Sequence, residues 1–331
     1  MSQGKVFIEL KDIVKIFPGV RALDGVSFDI REGEVHSLCG ENGAGKSTLI
    51  KVMTGAHARD GGDYLIDGQS VNFRSTTEGI AKGVSCVYQE LSIAPQLDVA
   101  KNLFIGNLPM KGGLVDHKTL YKRAAEILAE LDMHISPKTP AGDLSVGQQQ
   151  MIEIGRALTR NARLIIMDEP TSSLSEAETD TLFQIIKKLV AKNIAIVYIS
   201  HKLDEVMEIS DRISVMRQGQ YIGTVDKKDT SPKELAKMMI GREVFLNIER
   251  KAAKVGDVVL KVENLWTSGE KEISKIRGID LEVRAGEIVG IAGIDGNGQS
   301  EFIEAITGLR KVEKGKVYLD GQDITNLSPK K

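Results

Sequence analysis

Residues 40–47 read Gly-Glu-Asn-Gly-Ala-Gly-Lys-Ser, a complete match to the phosphate-binding loop pattern G-x-x-x-x-G-K-[ST]. The apolar segment Val35–Cys39 precedes this loop, and Leu49, Ile50 and Met53 recur on one side of the segment that follows it. This context predicts a strand, a loop and a helix in that order. Glycines let backbone amides converge on a phosphate, and the helix N-terminus adds its dipole. The loop therefore predicts a phosphate site in an α/β domain.

The loop residues have distinct expected roles. We expect the Lys46 ammonium to bridge the β- and γ-phosphates and the Ser47 hydroxyl to bind Mg²⁺. A chance glycine-rich loop would rarely have a strand and a helix on either side of it. The candidate phosphate-binding residues are Gly40, Glu41, Asn42, Gly43, Ala44, Gly45, Lys46, Ser47 and Thr48.

Two adjacent carboxylates, Asp168 and Glu169, directly follow the apolar segment Leu164–Met167. By themselves, two carboxylates after an apolar segment are typical of a strand end that meets solvent. Together with the phosphate-binding loop they indicate chemistry, with Asp168 near the metal ion and Glu169 beside the γ-phosphate. A carboxylate at that position can polarise the attacking water as a general base.

Residues 144–148, Leu-Ser-Val-Gly-Gln, lie between these two motifs and directly before an amphipathic segment. Ser145 and Gln148 have the spacing of a helix capping box, which is a sufficient structural explanation for both. Gly147 permits a close backbone approach, so a phosphate could instead bind at this helix N-terminus. Spacing alone leaves both interpretations open.

The phosphate-binding loop, then Leu-Ser-x-Gly-Gln, then Asp-Glu-Pro, in this order and spacing, resembles an ATP-binding cassette (ABC) ATPase. The resemblance implies ATP and Mg²⁺ as cofactors. It implies that Gln89 senses Mg²⁺ and the γ-phosphate, that His201 contacts the γ-phosphate, and that Phe17 stacks on adenine. Composition alone would place Phe17 equally well in the core, and Gln89 in an exposed loop. One departure is Ser175, where many family members carry aspartate.

The resemblance thus divides the candidate residues into three groups. The expected catalytic residues are Glu169, His201 and Lys46. The expected metal ligands are Ser47, Gln89 and Asp168. The expected nucleotide-binding residues are the phosphate-binding residues named above together with Phe17, Gln89, Ser145, Gly147 and Gln148.

The chain also contains an internal repeat. Gly25–Val35 reappears as Gly278–Ile288, and of the 45 positions from 25 to 69, 15 are identical 253 residues later. A period of this length fits two copies of a whole domain rather than a solenoid. The second loop, Gly293–Ser300, carries Gln299 in place of Lys46. A neutral amide supplies no cation, so we expect weaker ATP binding, slower hydrolysis or both at this loop.

Alternation of short apolar runs with helical patterns predicts an α/β fold, namely a P-loop NTPase (ABC ATPase) core with a β-rich N-terminal part and a helical insert, followed by a truncated second copy. The expected domains are residues 1–245, with the insert at about 95–160, a linker at 246–257, and the N-terminal part of the second domain at 258–331. The natural chain is expected to have about 500 residues, twice the repeat offset. The predicted strands are Glu34–Cys39, Val84–Tyr88, Leu164–Met167 and Ile194–Ile199, and residues 116–132 are a predicted helix that Asp116 caps.

Composition narrows the class of protein. The 44 Lys and Arg residues against 46 Asp and Glu give a net charge of −2, which offers no general electrostatic reason to bind nucleic acid. The longest purely apolar stretches have six residues, as in Ile194–Ile199, far below the ~20 of a membrane-spanning helix. Two cysteines are typical of a reducing compartment. The sequence therefore predicts a cytosolic chain.

The motifs together resemble the first cassette of fused monosaccharide importers of the ribose, galactose, arabinose and xylose types. This resemblance implies a peripheral ATPase on the cytoplasmic face of the inner membrane. Its implied partners are an integral-membrane permease, through it an extracytoplasmic sugar-binding protein, and a second cassette in the same chain or in a homodimer. The second copy resembles nucleoside importers more closely. A nucleoside importer and a soluble non-transport ABC ATPase therefore stay open as alternatives.

Overall fold

The structure, a computed structural model, describes residues 4–241, 255–268, 274–293 and 297–329. It divides into two compact units, Met1–Val244 and Phe245–Lys331, which we call the first and second units. The expected linker, residues 246–257, lies outside the described residues except for its last three positions.

The first unit begins with an antiparallel sheet. Strands β1 (Val6–Phe17) and β2 (Val20–Arg31) form its long hairpin, and β4 (Gly61–Ile66) and β5 (Gln69–Ser70) extend it in the order β2-β1-β4-β5. In β2 every second side chain from position 26 to position 30 is buried, because alternate residues of a strand point to opposite faces. This sheet accounts for the β-rich N-terminal part.

A second, mixed sheet carries the loops of the candidate site. Its order is β12-β11-β3-β10-β9-β6, with the bounds Gln220–Asp226, Arg212–Arg217, Val35–Cys39, Ala195–Ile199, Leu164–Asp168 and Val84–Val87. The strands from β11 to β6 are parallel, and β12 pairs antiparallel at the edge. All four predicted strands are confirmed to within one residue at each end. Their continuous apolar runs are typical of parallel strands buried on both faces.

Helices and loops build a separate core on each face of this sheet. Ile166 of β9 faces the core formed with α1 (Lys46–Met53) and the antiparallel sheet. Its neighbours Ile165 and Met167 face the core formed with α6 (Glu176–Ala191). In the described residues of the first unit, three further α-helices lie outside the β6–β9 connection, namely α2 (Thr76–Ala81), α7 (Leu203–Ile209) and α8 (Pro232–Ile240).

The connection from β6 to β9 carries three α-helices and a short hairpin. It contains α3 (Val99–Leu103), the hairpin β7 (Met110–Lys111) and β8 (Leu114–Val115), α4 (His117–Glu130) and α5 (Val146–Thr159). The predicted helix over 116–132 is confirmed as α4, and the Asp116 carboxylate accepts from the Thr119 amide as its cap. Buried residues from α3, α4 and α5 form a core of their own, which includes Leu103, Leu120, Leu128 and Ile152.

The second unit repeats part of this architecture. Strands β13 (Val258–Ser268), β14 (Ser274–Arg284), β15 (Lys314–Leu319) and β16 (Gln322–Asp323) form a sheet in the order β14-β13-β15-β16, which matches the antiparallel sheet of the first unit. Helix α9 (Gln299–Ile306) begins 253 residues after α1, at residue 299 against residue 46.

The fold class is confirmed as an α/β structure with a strand, phosphate-binding loop and helix at its centre. Positions 294–296 of the second loop lie outside the described residues. Among the residues that the structure describes, no helix combines the length and the apolar character needed to cross a membrane.

The buried position of β9 generates a stability prediction. We expect Ile166→Ala to lower the free energy of unfolding by about 2–4 kcal/mol, because the surrounding core cannot fully collapse onto the lost side-chain atoms. Urea unfolding followed by circular dichroism measures this change. Ile16→Ala is the matched control, since Ile16 is exposed on β1 and should cost well under 1 kcal/mol. Equal losses for the two variants would contradict the assignment of β9 to the core.

Candidate active site

The carboxyl ends of β3, β9 and β10 lie next to one another, and the segments that follow β3 and β9 border a cavity of about 480 Å³. Residues from three of the sequence motifs line this cavity. The candidates among them are Asn42, Gly43, Gly45, Lys46, Ser47, Thr48, Gln89, Asp168 and Glu169, and the other lining residues are Val20, Arg21, Ala22, Gln218 and Gly219.

The phosphate-binding loop is shaped by close backbone contacts. Gly45 has a left-handed φ of 99°, and a Cβ atom there would lie 2.6 Å from the Ala22 carbonyl oxygen. A Cβ atom at Gly40 would lie 2.5 Å from the Met216 carbonyl oxygen. Helix α1 begins within this loop, at Lys46, and no described side chain caps its N-terminus. The amides of the first turn and the helix dipole are therefore available to an anion.

Lys46 folds back over the loop. Its ammonium donates to the carbonyl oxygens of Gly40 at 2.7 Å and Glu41 at 3.0 Å. Burial lowers the pKa of Lys46, and the negative charges of Glu169 and Asp168 act in the opposite direction. One cation is thus held close to two carboxylates at the edge of the cavity.

The ionised carboxylate of Asp168, the last residue of β9, lies in an unfavourable electrostatic environment. Burial raises the pKa of its carboxyl group, the neighbouring Glu169 raises it further, and Lys46 only partly opposes them. A raised pKa means that the folded protein disfavours the charged form of this side chain. A bound cation would relieve that cost, because it would offset the charge of Asp168 directly.

Glu169 is held in an uncommon backbone conformation, with a φ of 47°, and its amide donates to the Ile199 carbonyl oxygen at 2.9 Å. Its carboxylate contacts two further candidates. Oε1 lies 3.1 Å from Nδ1 of His201, and Oε2 accepts from Nε2 of Gln89 at 3.3 Å. The structure therefore brings Glu169, Gln89 and His201 together.

The donors around the cavity fit a Mg²⁺ ion that is shared with phosphate. Ser47, Gln89 and Asp168 all line the cavity and offer a hydroxyl, an amide and a carboxylate oxygen. No group of three His, Cys, Asp or Glu side chains that could hold a metal occurs among the described residues. Mg²⁺ commonly takes one or two carboxylates together with substrate phosphates and water rather than an all-protein cage, so this donor set suits it.

Phe17 lies at the end of β1 and is partly exposed, so it does not belong to the buried core. Its ring stands edge-on to His57 with centroids 5.4 Å apart, and the Lys15 ammonium lies 5.4 Å from its centroid. It pairs with Val20, which lines the cavity. The structure therefore does not place Phe17 in the core, and its stacking on adenine stays a prediction.

The capping box at Ser145 is confirmed. Its hydroxyl accepts from the Gln148 amide at 3.2 Å, and the Gln148 side chain accepts from the Ser145 amide at 3.1 Å. Ser145 also donates to Oε1 of Glu178 at 3.2 Å, and a Cβ atom at Gly147 would lie 2.5 Å from that oxygen. Ser145, Gly147 and Gln148, which we call the signature segment, do not line the cavity beside Lys46.

Sequence reasoning missed Glu178 and the turn at Gln218 and Gly219. Glu178 forms a second capping box with Ser175, whose amide and hydroxyl hydrogen bonds lower the pKa of the Glu178 carboxyl group. The Ser-x-x-Glu spacing was a usable signal for it. Gly219 donates its amide to the Ala44 carbonyl oxygen at 3.1 Å, which brings the turn to the loop. No local sequence signal predicts that long-range contact.

Comparisons with known proteins agree with these features. A family model described as "ABC transporter" matches residues 23–172 and 276–331. The galactose/methyl galactoside import ATP-binding protein of Clostridium tetani is 41% identical over 333 residues, which cover 99% of this chain and 66% of that protein. The ribose import ATP-binding protein of Geobacillus kaustophilus is 43% identical over 325 residues, 98% of this chain and 65% of that protein. The chain thus spans just under two thirds of the length of these relatives.

A solved structure gives a further likeness. It is the dimeric structure of a post-hydrolysis state of an ATP-binding cassette bound to ADP and Pi. Its chain is 25% identical, with a TM-score of 0.57, and the match covers 66% of this chain and 98% of that chain.

The electrostatics of Asp168 generate a prediction. We expect Asp168→Asn to raise the thermal midpoint of the nucleotide-free protein at pH 7 by about 2 °C. The substitution removes a charge that burial and Glu169 disfavour in the folded state. Thermal unfolding measures the shift, and Asp63→Asn, an exposed carboxylate in β4, controls for the change in net charge. A lower midpoint for Asp168→Asn would show that attraction to Lys46 dominates instead.

Proposed function

This chain belongs to the ABC transporter family, and we propose that it is the ATP-hydrolysing subunit of an importer that takes up a monosaccharide through a separate membrane permease. One observation carries the catalytic part of this proposal. Lys46, Ser47, Gln89, Asp168 and Glu169 come from three distant segments of the chain and line one cavity. The sugar names of the two relatives support the substrate class and favour it over the nucleoside alternative.

ATP would bind with its phosphates on the loop and the first turn of α1. Residues Gly40–Thr48 supply converging amides and the helix dipole, and Lys46 would exchange its two carbonyl contacts for phosphate oxygens. The partly exposed Phe17 ring, which pairs with the cavity-lining Val20, would hold the adenine ring. This placement supports the proposal that the chain binds ATP.

Mg²⁺ would be held by Ser47, Gln89 and Asp168 together with the phosphates. When bound, it would offset phosphate charge and the charge of Asp168. The raised pKa of the Asp168 carboxyl group supports this assignment, because the side chain is arranged at a cost that a cation would relieve.

Glu169 would act as the general base toward the attacking water. Its Oε1 lies against His201 and its Oε2 against Gln89, so both carboxylate oxygens are oriented by hydrogen bonds. His201 contacts the carboxylate oxygen that Gln89 does not, and it would contact the γ-phosphate while it orients Glu169. This division of roles follows the phosphoryl-transfer pattern, in which positioning and electrostatics supply most of the catalysis.

Two cassettes would close on ATP, each offering its signature segment to the other's phosphates. Ser145, Gly147 and Gln148 lie at the N-terminus of a 14-residue helix, away from the cavity of their own unit. A complete site would therefore combine the cavity of one cassette with the signature segment of another cassette. That cassette would be a second domain of the same chain or a second copy in a homodimer.

The second unit would be the N-terminal part of that second domain, with residues 1–245 as the first, residues 246–257 as the linker and residues 258–331 as the second. Helix α9 and strands β15 and β16 support this division by repeating the first unit at a spacing of 253 residues. Gln299 in place of Lys46 would make its loop the weaker ATP site.

The transport partners follow from the same proposal. An integral-membrane permease would dock on a groove beside Gln89, where Tyr88, Ser92, Glu153 and Arg156 line a cavity of about 230 Å³ between β6 and the helical insert. The permease would receive the sugar from an extracytoplasmic binding protein. The chain would then lie on the cytoplasmic face of the inner membrane as a peripheral subunit.

A pair of substitutions tests binding and catalysis separately. We expect Lys46→Ala to weaken Mg-ATP affinity by about tenfold or more, because a charge-assisted contact is lost. We expect Glu169→Gln to keep that affinity but to slow hydrolysis at least about 100-fold, because an amide does not accept the proton from water. Calorimetry and a phosphate-release assay measure the two quantities. Lys51→Ala, an exposed lysine at the end of α1, is the control, and unchanged affinity in Lys46→Ala would contradict the phosphate site.

A concentration series tests the pairing of cassettes. We expect the specific ATPase activity of the 331-residue chain to rise with protein concentration, because the population of a dimer follows mass action. Ser145→Arg should abolish that rise by placing bulk and charge at the signature segment. Ser136→Arg adds the same side chain at another exposed position of the helical insert and should leave the rise intact. Activity independent of concentration and insensitive to Ser145→Arg would refute pairing through this segment.

A further inference from the structure

Glu205, on α7, is a carboxylate with an unusual number of donors. Its Oε2 accepts from Thr171 Oγ1 at 2.6 Å, from Tyr198 OH at 2.8 Å and from Ser200 Oγ at 3.3 Å. Its Oε1 accepts from Lys202 Nζ at 2.9 Å. Four side chains from three segments of the first unit therefore converge on one carboxylate.

Two of these donors flank the proposed catalytic residues in sequence. Thr171 follows Glu169 by two positions, and Ser200 directly precedes His201. Both donor side chains are buried, at 2% and 3% exposure, so neither can exchange its partner for bulk water without local unfolding. Glu205 thus ties the segment after β9 to the segment after β10.

The charge state of Glu205 suits this role. Burial alone would raise the pKa of its carboxyl group, but the hydrogen bonds from Thr171, Lys202 and Tyr198 outweigh burial and lower it. The carboxylate is therefore ionised near pH 7, and hydrogen bonds to an ionised acceptor are shorter and stronger than neutral ones.

Other contacts also join the two segments. The Lys202 ammonium donates to the Thr171 carbonyl oxygen at 3.4 Å. The Glu169 amide donates to Ile199, and the Glu169 and His201 side chains meet at 3.1 Å. Glu169 also occupies the left-handed region, where a non-glycine residue is held by its surroundings. Glu205 binds the same two segments close to Glu169 and His201, through Thr171 and Ser200.

We propose that Glu205 is a positioning residue, which sets the separation of the Glu169 carboxylate and the His201 imidazole by binding Thr171 and Ser200 at once. This inference rests on the proposed function, because it assigns Glu205 to the reaction at Glu169. Glu205 itself would contact neither ATP nor the attacking water. Its effect would pass through the backbone of the two segments.

Two isosteric substitutions separate positioning from stability. Thr171→Val removes the 2.6 Å donor that links the segment after β9, whereas Tyr198→Phe removes the 2.8 Å donor, which belongs to β10 itself. We expect thermal midpoints that fall by similar amounts. We expect kcat for Mg-ATP hydrolysis to fall about tenfold in Thr171→Val and less than about twofold in Tyr198→Phe, with KM for ATP nearly constant in both. Thr171→Ser keeps the hydroxyl and should restore kcat.

A spectroscopic readout decides the inference independently of turnover. In protein labelled with ¹⁵N-histidine, the His201 imidazole signals, assigned with His201→Gln, should shift in Thr171→Val and in Glu205→Ala, and stay near wild type in Tyr198→Phe and Thr171→Ser. Equal shifts in Thr171→Val and Tyr198→Phe, or none in either, would overturn the positioning role. Wild-type turnover no higher than that of Lys46→Ala would instead overturn the proposed catalysis, and the imidazole signals would still decide how Glu205 acts.

Discussion

The parallel pairing of β10 between β3 and β9 is the constraint on which the candidate site depends. In a parallel sheet the carboxyl ends of neighbouring strands meet at one edge, so the phosphate-binding loop, Asp168 and His201 leave the sheet side by side. Buried side chains on both faces fix the register, because a slip by one residue would exchange the two cores. Residues more than 100 positions apart, such as Lys46 and Asp168, are thereby placed around one cavity.

That geometry concentrates charge at a cost to the folded protein. Asp168 and Glu169 are adjacent and partly buried, so burial and the neighbouring negative charge raise the pKa of Asp168. Burial of Lys46 lowers the pKa of its ammonium, although both carboxylates oppose that shift. Hydrogen bonds, rather than further charges, hold Glu169 through His201 and Gln89. A triphosphate with Mg²⁺ would complement both groups. Its phosphate oxygens would pair with the Lys46 ammonium, and the metal ion would offset the charge of the Asp168 carboxylate.

The sequence allowed the local parts of this site to be predicted, since a phosphate-binding loop, an apolar strand that ends in carboxylates and a capping box are short-range patterns. The strands were predicted within one residue for the same reason, because continuous apolar runs mark buried parallel strands. Contacts between distant segments were not predictable. Glu178 against Ser145 and the Gly219 turn against Ala44 depend on side chains and backbone brought together only by packing. Glu205 escaped notice because its donors are spread over residues 171–202.

The internal repeat shows how far local sequence alone determines structure. Ile288 and Ile291 correspond to Val35 and Leu38 of β3, yet residues 287–293 form no strand, and the two isoleucines are 78% and 51% exposed. The antiparallel sheet and α9, by contrast, form in both units. The difference lies in the partners. β3 takes its backbone hydrogen bonds from β10 and β11, and the described part of the second unit holds no counterpart of either strand. A hairpin and a short helix can form from nearby residues, whereas a central parallel strand requires neighbours from far along the chain.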